Sequence, residues 1–228
     1  MQSLMQVWQT KLNPGLYKKD PASSELGTRI VIEGLSLISE SGFDKFTFKK
    51  LAERLHTTES SVYRYFDNKH RFLIYLVSHY WLWQEYHLIF RLQNIESVED
   101  RLNRAIDTLC SVHQLNWPFD HLNRAEMYKI MIDTSIRTYY SDDVDEENKA
   151  GFFSDYKRLH NRIVHLITEY APSYPYPKAL VSCCMENIQV QVYYRHHLAS
   201  LTEINDDTNS MFEFIKQIIF QTLKPYTR

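Results

Sequence analysis

Apolar positions along this chain recur mostly at helical spacing, with little of the strict alternation that marks a half-buried strand. Leu26, Ile30, Val31, Leu37 and Ile38 predict a first helix that starts from an N-cap at Ser23 or Ser24 and stops at Gly42. Phe48, Leu51, Ala52 and Leu55 share one face of a second helix, with Thr47 as its cap. His56-Thr57 reads as a tight turn, and Thr58 caps a short third helix running to about Phe66. Asp67-Asn68 separates it from a long aromatic-rich helix from Lys69 to Leu92. Further helices are predicted over 98–115, 121–139, 152–170, 178–201 and 211–223. The acidic run 141–148 reads as a loop, as do 173–177 and 205–210, and Asn116-Trp117-Pro118-Phe119 reads as a break. Asn13-Pro14-Gly15 and Asp20-Pro21-Ala22-Ser23 mark turns ahead of the first helix. The expected fold class is all-α.

Composition supports long helices, because 5 glycines and 7 prolines in 228 residues leave few turns for a many-stranded fold. The expected organisation is an N-terminal extension (1–23), a three-helix head (24–70) and a helical body (71–228). Residues 1–12 carry no continuous apolar stretch, so no secretory signal is expected. No run of about 18 uncharged apolar residues suggests a membrane span. Cys110, Cys183 and Cys184 fit neither a disulfide framework nor a metal motif, and they read as reduced thiols of a cytoplasmic protein.

Charge is where the two regions differ. The net formal charge is −2, which by itself points away from nucleic acid. Yet residues 45–71 hold seven lysines and arginines against three acids, whereas 72–228 hold fifteen against twenty. A small cationic head on an acidic body is the distribution expected of a DNA reader. Thr57, Thr58, Glu59, Ser60 and Ser61 are short or hydrogen-bonding, as a helix that approaches base edges requires. Lys49, Lys50 and Arg54 add charge to the second helix. The alternatives are a solvated charge run and ordinary core aromatics at Tyr63 and Tyr65.

The stretch RIVIEGLSLISESGFDKFTFKKLAERLHTTESSVYRYFDNKHRFL carries a resemblance. With Gly42-Phe43, Thr47 and the run Tyr63-Arg64-Tyr65-Phe66-Asp67-Asn68-Lys69, residues 24–84 resemble the DNA-binding domain of the TetR family of transcriptional regulators. The resemblance implies a homodimer whose two second helix-turn-helix helices enter successive major grooves of operator DNA. It implies phosphate contacts from Thr47, Tyr63, Tyr65 and Lys69, with Thr58, Glu59, Ser60 and Ser61 near bases. Lys49, Thr57 and Arg64 complete the expected DNA-contact set. The chain departs from the family pattern at His56-Thr57, where a glycine and a small apolar residue are usual, and at Glu59, where a basic residue is common.

The body is expected to answer a small-molecule effector. Pocket candidates are Trp81, Trp83, Tyr86, His113, Tyr128 and Arg137, set against the plainer expectation that such aromatics fill a core. Leu180, Cys184, Ile188, Val192, Phe212, Ile215 and Ile219 are candidates for a four-helix dimer interface, against packing within one chain. His160 and His165 are five apart and His196-His197 are adjacent, spacings that do not suit zinc, so no metal site is expected. No cofactor motif or catalytic elbow occurs, and an enzyme is not expected. Two other readings share the residues: a DNA-bound structural or partner-recruiting protein without an effector, and a helical enzyme with a vestigial head.

Overall fold

The computed structural model describes residues 12–111, 122–205 and 208–227, less the side chains of residues 135–137 and 208. Ten α-helices occur among them and no β-strand does. They are α1 (Glu25–Ser41), α2 (Phe48–Arg54), α3 (Glu59–Tyr63), α4 (Lys69–Arg91), α5 (Val98–Cys110), α6 (Arg124–Tyr139), α7 (Val144–Lys149), α8 (Ser154–Tyr170), α9 (Pro177–His197) and α10 (Thr208–Leu223). The chain divides into two compact units. Of the described residues, one comprises 12–83 and 122–155, and the other 84–111, 156–205 and 208–227.

In the first unit the helices begin and end where local chemistry dictates. The Ser24 side chain accepts from the Gly27 N–H at the start of α1, and Gly42, at φ 82°, closes it. The core of the head is aromatic. The Phe72 ring from α4 lies 5.5 Å from Phe46, 4.9 Å from Phe66 and 6.4 Å from Phe48. Gly34 on α1 makes room for it, because a Cβ there would lie 2.4 Å from the Phe72 ring. Two elements outside the head brace the start of α4. Arg71 donates to the Gly15 carbonyl at 2.7 Å and lies 4.5 Å over the Phe152 ring. His70 Nε2 sits 3.1 Å from Glu147 on α7.

In the second unit α5, α9 and α10 pack on one another around Leu102, Ile106, Val181, Ile188, Ile215 and Ile219. Glu85 is buried to 1% exposure at its side chain and is neutralised by two arginines of α8. Arg158 Nη2 lies at 2.9 Å and Arg162 Nε at 2.7 Å. Burial pushes the Cys184 thiol up to about 12, so it stays protonated at neutral pH.

Several boundaries differ from expectation. The acidic run predicted as a loop holds helix α7, whose first turn carries Asp145, Glu146 and Glu147. Carboxylates there complement the positive end of the helix dipole, which a reading based on apolar periodicity does not register. Helix α3 ends at Tyr63, short of Phe66, because the N–H groups of Tyr65 and Phe66 both turn back to the Val62 carbonyl. Helix α9 stops at His197, where Leu198 leaves helical geometry at φ −137°. The predicted break at 116–119, the helix end beyond Ser111 and the start at His121 lie outside the described residues, as do residues 1–11.

Candidate nucleic-acid interface

Helices α2 and α3 form a helix-turn-helix. Thr47 caps α2 by accepting from the Lys50 N–H at 3.2 Å. The turn passes through His56 at φ 52°, a left-handed conformation that costs a non-glycine residue free energy. The Thr57 N–H returns to the Ala52 carbonyl at 2.9 Å and closes the turn. Thr58 then caps α3. Its hydroxyl accepts from the Ser61 N–H at 3.3 Å and lies 2.9 Å from both the Ser60 and Ser61 hydroxyls.

The outward and inward faces of α3 separate cleanly. Val62 is fully buried, while Thr58, Glu59 and Ser60 are exposed and Thr57 and Ser61 are half-buried. Hydroxyls, a carboxylate and the free N–H groups of a helix start are therefore presented together. Tyr63 is 42% exposed, and its ring packs edge-on against Phe48 at 5.1 Å. Thr47, Lys49, Lys50 and Arg64 are exposed as well.

Three basic or aromatic residues sit otherwise than the sequence suggests. Tyr65 is only 4% exposed, and its hydroxyl lies 2.7 Å from Ser24 Oγ. That bond, with Lys19 and Arg64 nearby, holds the phenol below its usual range. Its ring is part of the head's own packing. Lys69 donates to the carbonyls of Phe43 at 3.2 Å and of Asp44 and Phe46 at 3.4 Å. Its ammonium thus ties down the loop ahead of Thr47. Arg54 turns back onto α1, donating to Glu33 at 2.7 Å and bidentately to Glu40 at 2.7 and 2.8 Å. Those bonds raise the guanidinium well above its usual range and lower the Glu40 carboxyl. The charge that Arg54 was expected to lend α2 is therefore matched within the head.

Two lysines absent from the expected contact set stand beside this surface. The Lys18 N–H donates to the Tyr65 carbonyl at 2.8 Å, and its ammonium meets Asp67 at 2.8 Å. Lys19 Nζ is 3.5 Å from the Tyr65 hydroxyl. Their only signal in the sequence is a basic pair between two turn motifs.

The pocket candidates fare differently. Trp83 is 1% exposed and packs against Tyr80, and Trp81 donates from Nε1 to the Tyr139 hydroxyl at 2.7 Å. Both indoles are buried within the first unit. Tyr86 and Tyr128 are half-buried. His113 and the Arg137 side chain lie outside the described residues. A groove of about 290 Å³ in the second unit is lined by Leu88, Ile89, Leu92 and Leu166 with Arg162 and His165, and includes none of the predicted aromatics. The dimer candidates Leu180, Cys184, Ile188, Val192, Ile215 and Ile219 are buried within their own chain, and Phe212 is half-buried. Their stripe faces the unit's core. Outward positions on the same helices include Cys183, Tyr193, Glu213 and Gln217.

Among the described residues no group of three or more metal-binding side chains occurs, and no helix is long and apolar enough to cross a membrane. His160 instead lies 3.1 Å from the Lys178 carbonyl and the Ser182 hydroxyl.

Residues 30–76 match the family model described as bacterial regulatory proteins, tetR family. No curated protein matches by sequence. Among solved structures, the chain is similar to the fatty acid degradation regulator FadR from Bacillus halodurans at a TM-score of 0.55 and 13% identity, covering 86% of this chain and 93% of that one. It is similar to the TetR family transcriptional regulator PfmR from Thermus thermophilus at 0.56 and 11%, covering 84% and 97%. A third is AibR in complex with isovaleryl coenzyme A and operator DNA, at 0.54 and 12%, covering 84% and 96%. These likenesses concern the fold. Residues 30–76 thus carry the helix-turn-helix domain of the tetR family of bacterial regulatory proteins, within a chain whose described elements are all helical.

Proposed function

We propose that this chain is a sequence-specific DNA-binding transcriptional regulator, acting as a homodimer and repressing until a small-molecule effector binds. On this reading residues 24–70 read the operator and residues 71–228 carry dimerisation and effector response. The observation that carries it is the exposed start of α3, where Thr58, Glu59 and Ser60 stand clear of the protein around a buried Val62. A short helix with small polar groups at its N-terminus fits the major groove and its phosphates. The cationic excess of residues 45–71 supports the same reading, since phosphate neutralisation supplies much of DNA affinity.

The effector half rests on the likeness to AibR, solved in complex with isovaleryl coenzyme A and operator DNA. Acyl thioesters of coenzyme A are therefore the first compounds to test. Such a molecule acts only through its different affinity for two arrangements of the dimer.

Selection of bound duplexes from a random pool tests the DNA half. A two-fold symmetric product is expected, and a pool with no enrichment overturns the reading. The burial of Trp81 and Trp83 favours a second reading, a DNA-bound structural or partner-recruiting protein with no effector. Selected operator affinity that stays constant across an acyl-CoA panel selects that alternative.

A further inference from the structure

We propose that Lys18 and Lys19, held against the end of α3 by the segment ahead of α1, form a second phosphate-contacting arm of the DNA-binding head. The inference rests on the DNA-binding reading and adds a surface that the helix-turn-helix does not contain. The family match begins at residue 30, so this segment lies before it.

The segment is built into the head. Leu16 and Pro21 are buried, and Asn13 and Asp20 each cap a short 3-10 turn, accepting from the N–H groups of Gly15 and Ala22. The Asn13 amide donates to the Ala150 carbonyl at 2.7 Å, and Arg71 donates to the Gly15 carbonyl. The Lys18 N–H then pairs with the Tyr65 carbonyl, which fixes its backbone close to Tyr63 and Arg64. Both lysines are exposed. Around Asp67 the charges are unequal. This carboxylate meets Lys18 at 2.8 Å and Arg71 at 3.6 Å, and Lys19 and Arg64 stand close enough to Tyr65 to lower its phenol. In these contacts one carboxylate, Asp67, meets two of the four cations. A cation excess on a fixed backbone, continuous with the exposed end of α3, is complementary to a phosphate strand flanking the groove. Pre-ordering also means that little entropy is lost when the strand docks.

The test uses the full chain and a duplex of randomised sequence, with affinity followed by anisotropy as salt is raised. The K18Q/K19Q variant is expected to flatten the dependence of log affinity on log salt by about 0.9 for each lost contact. K18R/K19R is expected to keep the wild-type slope. Asp67→Asn separates contact from scaffolding, since it removes the carboxylate that Lys18 pairs with while leaving both lysines. Unchanged or tighter binding by D67N supports the arm. Loss by D67N equal to that of K18Q/K19Q shows that the pair only holds the fold, and overturns the proposal. A wild-type slope in K18Q/K19Q overturns it too, while leaving the helix-turn-helix reading intact. Wild-type protein with no salt-dependent duplex binding removes both.

Discussion

The ammonium of Lys69 lies 3.2 Å from the carbonyl oxygen of Phe43, across the head from the helix start it belongs to. With Asp44 and Phe46 it draws three carbonyls of one loop to a single point, 4.8 Å above the Phe43 ring. That loop delivers Thr47 to the cap of α2. Lys69→Met is therefore expected to lower stability by about 1–2 kcal/mol, since hydrogen bonds to a charged donor are lost. It should also weaken DNA binding by more than one lost charge explains. Urea unfolding and the salt slope check both; unchanged stability with a slope reduced by about 0.9 returns Lys69 to simple phosphate contact.

His56 is exposed and holds φ at 52°. Replacing it with glycine removes the left-handed penalty of a side chain and adds unfolded-state entropy, effects of opposite sign. The net expectation is a gain of up to about 1 kcal/mol. A thermal or chemical unfolding midpoint below wild type contradicts it.

Lys49 and Arg54 share α2 but differ in partners. Lys49→Ala is expected to reduce the salt slope by about 0.9. Arg54→Ala should leave the slope alone, because its guanidinium is spent on Glu33 and Glu40. Equal loss from both variants would show that Arg54 swings out on binding.

Glu59 stands exposed in the first turn of α3, where the helix dipole favours it and a nearby phosphate does not. We expect it to accept from a cytosine amino group. Glu59→Gln should relax preference at one position of a selected operator, with about 1–3 kcal/mol of discrimination lost there. An operator preference identical to wild type assigns Glu59 to the dipole alone.

Glu186 is half-buried on α9 and accepts from the Tyr156 hydroxyl at 3.2 Å. Burial raises its carboxyl above the usual range, only partly opposed by that hydrogen bond. The folded protein thus holds this proton to higher pH than the unfolded chain. Its contribution favours the fold below the unfolded value, about 4.3, and declines as pH rises through the folded one. Glu186→Gln should raise the unfolding midpoint at neutral pH and flatten its acid-side dependence. A lowered neutral midpoint with the pH profile retained goes against this account.

What could be read from the chain beforehand was what neighbours in sequence decide. Ser24, Thr47 and Thr58 cap because each faces an N–H three residues on, and Gly42 ends a helix for reasons confined to one residue. The directions of Arg54, Tyr65 and Lys69 depend on Glu40, Ser24 and Phe43, partners up to 41 residues away. A basic side chain near a DNA-reading helix looks the same in sequence whether it faces phosphate or carbonyl. The stripe Leu180, Cys184, Ile188 and Val192 was legible as apolar, but periodicity says only that a face is covered, not which chain covers it. Helix α7 was missed because acids set its start.

The placement of Phe72 has a mechanical consequence. Seated among Phe46, Phe48 and Phe66 and notched into α1 at Gly34, it works like a key in a lock cylinder. The first turns of α4 cannot roll about their own axis without displacing those rings, so a rotation there carries α1 and the loop ahead of α2 along with it.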